Sequence, residues 1–174
     1  MNLKNLLSEK KKSILERWFN LILTTYPPET TQFLKSQKDR FANPVGSTIF
    51  QGIEGIFDQI LQDSESEKIS IFLDNVIRIR AIQNFTASQA VVFIFYLKKV
   101  IRDELKNEIR EKGISDELLA LESTIDDLAL LSFDIFMNCR EQIYDLKANE
   151  VRNMTFNLLK RAKITYEIDD KEFV

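Results

Sequence analysis

The sequence predicts an all-α protein, a single-domain helical bundle of about five or six helices that ends in a long C-terminal helix. Turn-forming residues are scarce, with 4 Gly and 3 Pro in 174 residues, whereas a β-sheet protein of this size needs many more of them. The segment 90–97, AVVFIFYL, is apolar on every side, which is typical of a helix in a protein interior. The 44% hydrophobic content is sufficient for one real core.

Apolar residues at three- and four-residue intervals predict a first helix over residues 3–24. The pair Pro27-Pro28 ends it, because the residue before a proline avoids the helical region. A short helix is expected next, over residues 29–34.

The following helix begins at Asn43, which acts as N-cap before a proline at the first helical position. It contains glycines at positions 46, 52 and 55, and each interior glycine costs about 1 kcal/mol relative to alanine. Two explanations are open: another helix packs closely over the glycine face, or a ligand lies against the exposed backbone.

The start of this helix is also a candidate anion site, formed by Arg40, Asn43 and Gly46. A helix N-terminus presents free N–H groups to a negative charge, and Arg40 is close in sequence. A simple cap without an anion is the alternative explanation.

Residues 68–83 and 87–112 are predicted as two helices joined by the corner Asn84-Phe85-Thr86-Ala87. Thr86 followed by Gln89 is a capping box, in which each side chain satisfies a free backbone N–H. On a helical wheel Arg80 continues the inward face of the first helix. A buried guanidinium needs a partner, because an unpaired buried charge costs several kcal/mol.

The last helix is expected to begin at a cap on Ser115, after Gly113, and to run over residues 116–163. Its segment 128–137 is apolar almost all round, with Asp134 as its only charge. Asp134 is therefore predicted to be at least half-buried and to pair with Arg80. Beyond residue 165, the acidic segment 166–174 is predicted to be a disordered tail.

These features define a candidate signal, ligand or switch region of five residues: Arg80, Gln83, Phe85, Gln89 and Asp134. Phe85 is expected to be partly exposed at the corner, and the flanking glutamines can form hydrogen bonds with a ligand.

Composition excludes several functional classes. The chain contains no histidine, which removes the commonest general base, the usual metal and haem ligand, and the phosphoacceptor of a histidine kinase. A net charge of −3 argues against a dedicated nucleic-acid binder. No apolar run is long enough to span a membrane, and the single cysteine, Cys139, excludes an internal disulfide. No catalytic residue, metal site or cofactor is predicted.

Three stretches together point to a known family: RFANPVG at residues 40–46, RIRAIQNFTASQA at 78–90 and LLSFDIFMNCREQIYDLKAN at 130–149. The chain resembles the N-terminal domain of the RsbT co-antagonist protein RsbRD family. The resemblance implies a sensory or regulatory input module over residues 1–165, globin-like but without haem. Related co-antagonists join this domain to a STAS output domain and capture a switch kinase. This sequence shows no STAS domain and no kinase core, which favours a regulator that acts through a separate partner.

The expected function is therefore a non-enzymatic, cytoplasmic sensory or regulatory module in bacterial stress or signal transduction. It is expected to form a homodimer through helices that include the C-terminal one, and to contact a separate signalling protein rather than nucleic acid or a membrane interior. A structural adaptor without a ligand is the first alternative. An enzyme that uses clustered carboxylates is the second, and it requires an acid with a strongly raised pKa.

Overall fold

The computed structural model describes residues 2–36 and 42–162, and its regular secondary structure in these ranges is helical. The helices, in chain order, are α1 (Leu3–Glu9), α2 (Lys11–Leu23), α3 (Pro28–Ser36), α4 (Pro44–Leu61), α5 (Ser66–Ile82), α6 (Ala87–Glu104), α7 (Lys106–Lys112) and α8 (Ser115–Arg161). The all-α prediction and the long last helix are confirmed.

The described residues form eight helices rather than five or six because two predicted helices are each interrupted once. Lys10, at φ −96° and ψ 7°, separates α1 from α2, and Leu105, at φ −106° and ψ 15°, separates α6 from α7. The two breaks lie together: Lys10 Nζ donates to the carbonyl oxygen of Glu104 at 2.5 Å and pairs with Glu108 at 2.6 Å. A tertiary contact therefore connects the two helix breaks.

The chain divides into two compact units, Met1–Cys139 and Arg140–Val174, and α8 contributes residues to both. The first unit contains the hydrophobic core, whose largest fully buried apolar side chains include Trp18, Phe57 and Phe93. In the second unit, the described residues 140–162 are exposed or half-buried. The predicted acidic tail, 166–174, lies outside the described residues, and the predicted domain boundary stays a prediction.

Helices α4 and α5 pack closely over the glycine face. A Cβ added at Gly52 would collide with the side chain of Val76, and one added at Gly55 would collide with the ring of Phe72. Close helix packing therefore explains these two glycines, and the alternative of a ligand against exposed backbone is wrong for them. Gly113 has another role, since it ends α7 in the left-handed conformation, at φ 63°.

The interior of the first unit follows most of the predicted faces. Ile125, Leu128, Ser132 and Cys139 of α8 lie three, four and seven residues apart on one face of the helix, and all four are buried. The apolar segment 90–97 is the exception, because Phe95 is 46% exposed although its neighbours on α6 pack inward. The prediction that every side of this segment is buried is therefore wrong.

Candidate functional site

Arg80 lies in the last turn of α5 and is 0% exposed, as its place on the inward face predicts. Its Nη2 donates to Thr25 Oγ1 at 2.9 Å and to the carbonyl oxygen of Gln89 at 2.8 Å. Both acceptors are neutral. The Nε and Nη1 atoms are buried without a hydrogen-bond partner among residues 2–36 and 42–162.

Three aromatic rings surround the guanidinium. Its Cζ lies 4.3 Å from the ring centroid of Phe85, 5.5 Å from that of Tyr26 and 5.9 Å from that of Phe93. Tyr26 and Phe85 meet edge to face, with centroids 5.2 Å apart. Such contacts stabilise a cation through the negative face of each ring.

Burial lowers the pKa of the Arg80 guanidinium, an effect that the nearby Tyr26 and Tyr96 partly oppose. Burial also raises the pKa of Tyr26, against the lowering effect of Arg80. The Tyr26 hydroxyl is oriented by its hydrogen bond to Gln83 Oε1 at 2.9 Å. The ionisable neighbours that act on the pKa of Arg80 are thus tyrosines rather than carboxylates.

The corner between α5 and α6 covers this cluster. Thr86 Oγ1 accepts from the Gln89 backbone N–H, and Gln89 Oε1 accepts from the Thr86 backbone N–H at 3.0 Å, so the predicted capping box is confirmed. Asn84 takes the left-handed conformation, at φ 59°, which turns the chain. Phe85 is half-buried, as predicted, whereas Gln83 and Asn84 are exposed.

The predicted pair between Arg80 and Asp134 is wrong. Asp134 is exposed, and the free nitrogens of Arg80 have no hydrogen-bond partner. The apolar residues near Asp134 on α8 do not enclose it, because Leu130 and Phe133 are themselves 69% and 45% exposed. The segment 128–137 therefore has an exposed face, and an all-round apolar composition was insufficient to place Asp134 inside.

The predicted anion site at the start of α4 has the geometry of a simple cap. Asn43 is 4% exposed, its Oδ1 accepts from the Gly46 N–H at 2.8 Å, and its Nδ2 donates to the carbonyl oxygen of Leu34 at 2.9 Å. The Gly46 N–H that an anion needs is therefore already bonded. Arg40, the third predicted member, lies outside the described residues.

Sequence reasoning missed three contributors to the Arg80 cluster, Thr25, Tyr26 and Phe93. Tyr26 drew attention only as the residue before two prolines, although a buried tyrosine at a helix end commonly places its hydroxyl against a polar partner. Trp18 packs against Phe93 of this cluster. Its Nε1 donates to the carbonyl oxygen of Phe93 at 2.6 Å, and the two rings stack with centroids 6.4 Å apart.

Several carboxylates of the first unit form ion pairs between helices. Arg102 of α6 binds both oxygens of Glu122 on α8, with Nη2 to Oε2 at 2.7 Å, and Lys98 pairs with Asp126 at 2.6 Å. The hydrogen bond with Arg102 lowers the pKa of Glu122. Within residues 2–36 and 42–162, no group of three or more Cys, Asp or Glu side chains is placed to hold a metal ion. Among the same residues, no helix has the length and apolarity needed to cross a membrane.

Comparisons with known proteins agree with the resemblance seen in the sequence. The family model described as the RsbT co-antagonist protein rsbRD N-terminal domain matches residues 12–151. An uncharacterized protein of Archaeoglobus fulgidus is 22% identical over 145 residues, which cover 80% of this chain and 83% of that protein. No solved structure matches the chain significantly.

Proposed function

Since the chain belongs to the family of the RsbT co-antagonist protein rsbRD N-terminal domain, we propose that it is a non-enzymatic regulatory module that acts in the cytoplasm through a separate protein partner. The domains of this family are regulatory modules of stress signalling. In this proposal the region around Arg80, Gln83, Phe85 and Gln89 receives the signal, and α8 transmits it. Asp134 stays a candidate contact on the exposed face of α8, without a bond to Arg80. We expect neither nucleic-acid binding nor membrane insertion.

The family match carries this proposal, and an exposed apolar seam in the second unit is the observation from which we add a dimer to it. Four side chains of α8 with the 7-3-4 spacing of a heptad repeat form it, and we call them the α8 seam: Tyr144, Val151, Met154 and Leu158. Each is between 56% and 64% exposed. Such a stripe on a helix is normally covered by another packed element, because the exposure of apolar surface to water is unfavourable.

We propose that a second copy of the chain covers the α8 seam. Apolar residues at heptad spacing pack into the same stripe of another helix, so a two-fold dimer buries both seams at once. The described helical residues of this unit, 140–161, have little tertiary support of their own, as their exposure indicates. Most helical stability in proteins comes from the packing of an apolar face, so pairing would also stabilise the helix.

Light scattering on the full chain after size exclusion tests the dimer. The wild type is expected to have twice the chain mass. The double variant Val151→Glu/Met154→Glu is expected to be monomeric, because it places charges in the seam. The matched control is Leu146→Glu/Phe156→Glu, which adds the same charges at two equally exposed apolar positions outside the seam. A monomeric wild type, or equal dissociation of both variants, would overturn the role of the α8 seam.

A structural adaptor without a ligand is the second candidate, and the filled glycine face between α4 and α5 favours it. The unpartnered nitrogens of Arg80 favour a sensor instead. An enzyme that uses carboxylates requires a raised pKa, whereas the pKa values of Glu104 and Glu122 are lowered. The hydrogen bonds with Arg17 and Arg102, respectively, cause this lowering. A general acid needs a raised pKa.

A further inference from the structure

The charge of Arg80 has no counter-ion within the described part of the chain. The two groups that bind its Nη2 are a hydroxyl and a backbone carbonyl, and Nε and Nη1 have no partner. Because Nε carries one N–H and Nη1 carries two, three N–H bonds of a cation are buried without an acceptor. Arginine stays protonated in proteins, so the protein cannot neutralise this charge by losing a proton.

The aromatic rings compensate for only part of this deficit. A ring face attracts a cation, but it is not an oxygen or nitrogen acceptor for the N–H bonds of a guanidinium. A water molecule could accept hydrogen bonds, but it would leave the buried positive charge uncompensated. An acceptor that also carries a negative charge satisfies both requirements.

Phe85 is the point at which the cluster can open. It is the most exposed of the three rings around Arg80, since Phe93 is 0% and Tyr26 only 8% exposed whereas Phe85 is half-buried. It is also the ring closest to the guanidinium, at 4.3 Å. Its chain neighbours Asn84 and Thr86 are exposed, so the backbone that carries this ring lies at the surface of the first unit.

We propose that Arg80 is the anchor of a binding site for an aromatic carboxylate, which displaces the ring of Phe85 and stacks on the guanidinium in its place. One negative charge neutralises one guanidinium, and two carboxylate oxygens accept from its free N–H groups. A planar apolar body replaces the contact of the displaced ring with the cation and its edge contact with Tyr26. The ligand would be the signal of the module proposed above, so its regulatory meaning depends on that function, whereas its binding does not.

The test uses the full chain with sodium benzoate as the probe. Benzyl alcohol, which lacks the charge, and sodium chloride at equal ionic strength are the comparison solutes. The sequence contains a single tryptophan, Trp18, which stacks on Phe93 beside the cluster. Its fluorescence therefore reports on the site, and the midpoint of thermal unfolding gives a second readout. We expect a saturable change in both readouts with benzoate and none with the two comparison solutes.

Variants distinguish this site from unspecific binding. Arg80→Met is expected to abolish the benzoate response. Arg78→Met is the matched control on the same helix, because Arg78 is exposed and pairs with Asp74, and it is expected to respond like the wild type. Phe85→Ala removes the ring that the ligand must displace, so we expect it to bind benzoate about tenfold more tightly than the wild type.

Three results would each overturn the proposal: no response to benzoate in either the wild type or Phe85→Ala, an equal response in Arg80→Met, or an equal response to chloride alone. The last would indicate a site for simple inorganic anions. None of these results affects the mass of the dimer, so failure of this inference and failure of the proposed function are distinguishable.

Discussion

Arg80 and Arg102, on the neighbouring helices α5 and α6, lie in opposite environments. Arg102 is 60% exposed and binds both carboxylate oxygens of Glu122, and that hydrogen bond raises its pKa. Arg80 is 0% exposed and has no carboxylate partner within residues 2–36 and 42–162, and burial lowers its pKa. The described part of the protein therefore supplies a counter-ion where water would largely screen the charge, and none where the charge is most costly.

Arg102 connects two helices through its ion pair with Glu122. No ion pair among the described residues explains the burial of Arg80, whose hydrogen-bond acceptors are neutral. Replacing a buried charge with an apolar side chain is often neutral or stabilising. The comparison therefore makes the contribution of Arg80 to stability a quantity to measure against that of Arg102.

The largest expected effect concerns the aromatic support of Arg80. We expect Phe93→Ala to lower the free energy of unfolding by about 3–5 kcal/mol, because it leaves a cavity against Trp18 and Arg80. The control is Phe95→Ala on the same helix, where the ring is 46% exposed and the loss should be below about 1.5 kcal/mol. Urea denaturation measures both. Equal losses would show that the cluster is no better packed than the surface of α6.

The next largest effect concerns the two arginines themselves. We expect Arg80→Met to raise the free energy of unfolding by about 1–3 kcal/mol, since it removes a buried charge and leaves an apolar side chain among aromatic rings. Arg102→Met is expected to lower that free energy by about 1 kcal/mol, because Glu122 loses its partner. Chemical denaturation without added carboxylate measures both variants. Destabilisation by Arg80→Met would mean that the surrounding rings already compensate for the charge.

The smallest effect is a dependence on pH. The folded-state pKa of Glu122 is lowered, so its pairing with Arg102 stabilises the fold above the unfolded carboxyl pKa of about 4.3 and is lost as the pH falls through the folded pKa. We expect stability to fall less steeply between about pH 6 and about pH 3 in Arg102→Met than in the wild type. Arg80→Met should follow the wild-type slope, because Arg80 does not titrate in this range. If stability depended on pH with the same slope in all three proteins, the pH dependence could not be assigned to the pair of Glu122 and Arg102.

Local patterns in the sequence were sufficient for most of the helices and for the ends of several. The capping box of Thr86 and Gln89, the Asn43 cap and the left-handed Gly113 each depend on bonds or torsions within a few residues. The inward face of α5 predicted the burial of Arg80 for the same reason. The breaks at Lys10 and Leu105 were not predictable in this way, because Lys10 reaches Glu104 and Glu108, which are distant in sequence.

The sequence by itself determined the all-helical class, the family, the α5–α6 corner and the inward direction of Arg80, since periodicity and capping act over one or two turns. Only the tertiary structure decided what surrounds Arg80. Tyr26 of the segment after α2 and Phe93 of α6 meet it there, whereas Asp134 faces outward among exposed apolar neighbours. The physical reason is that a helical wheel gives the direction of a side chain from its own axis, whereas its partners depend on how separate helices pack.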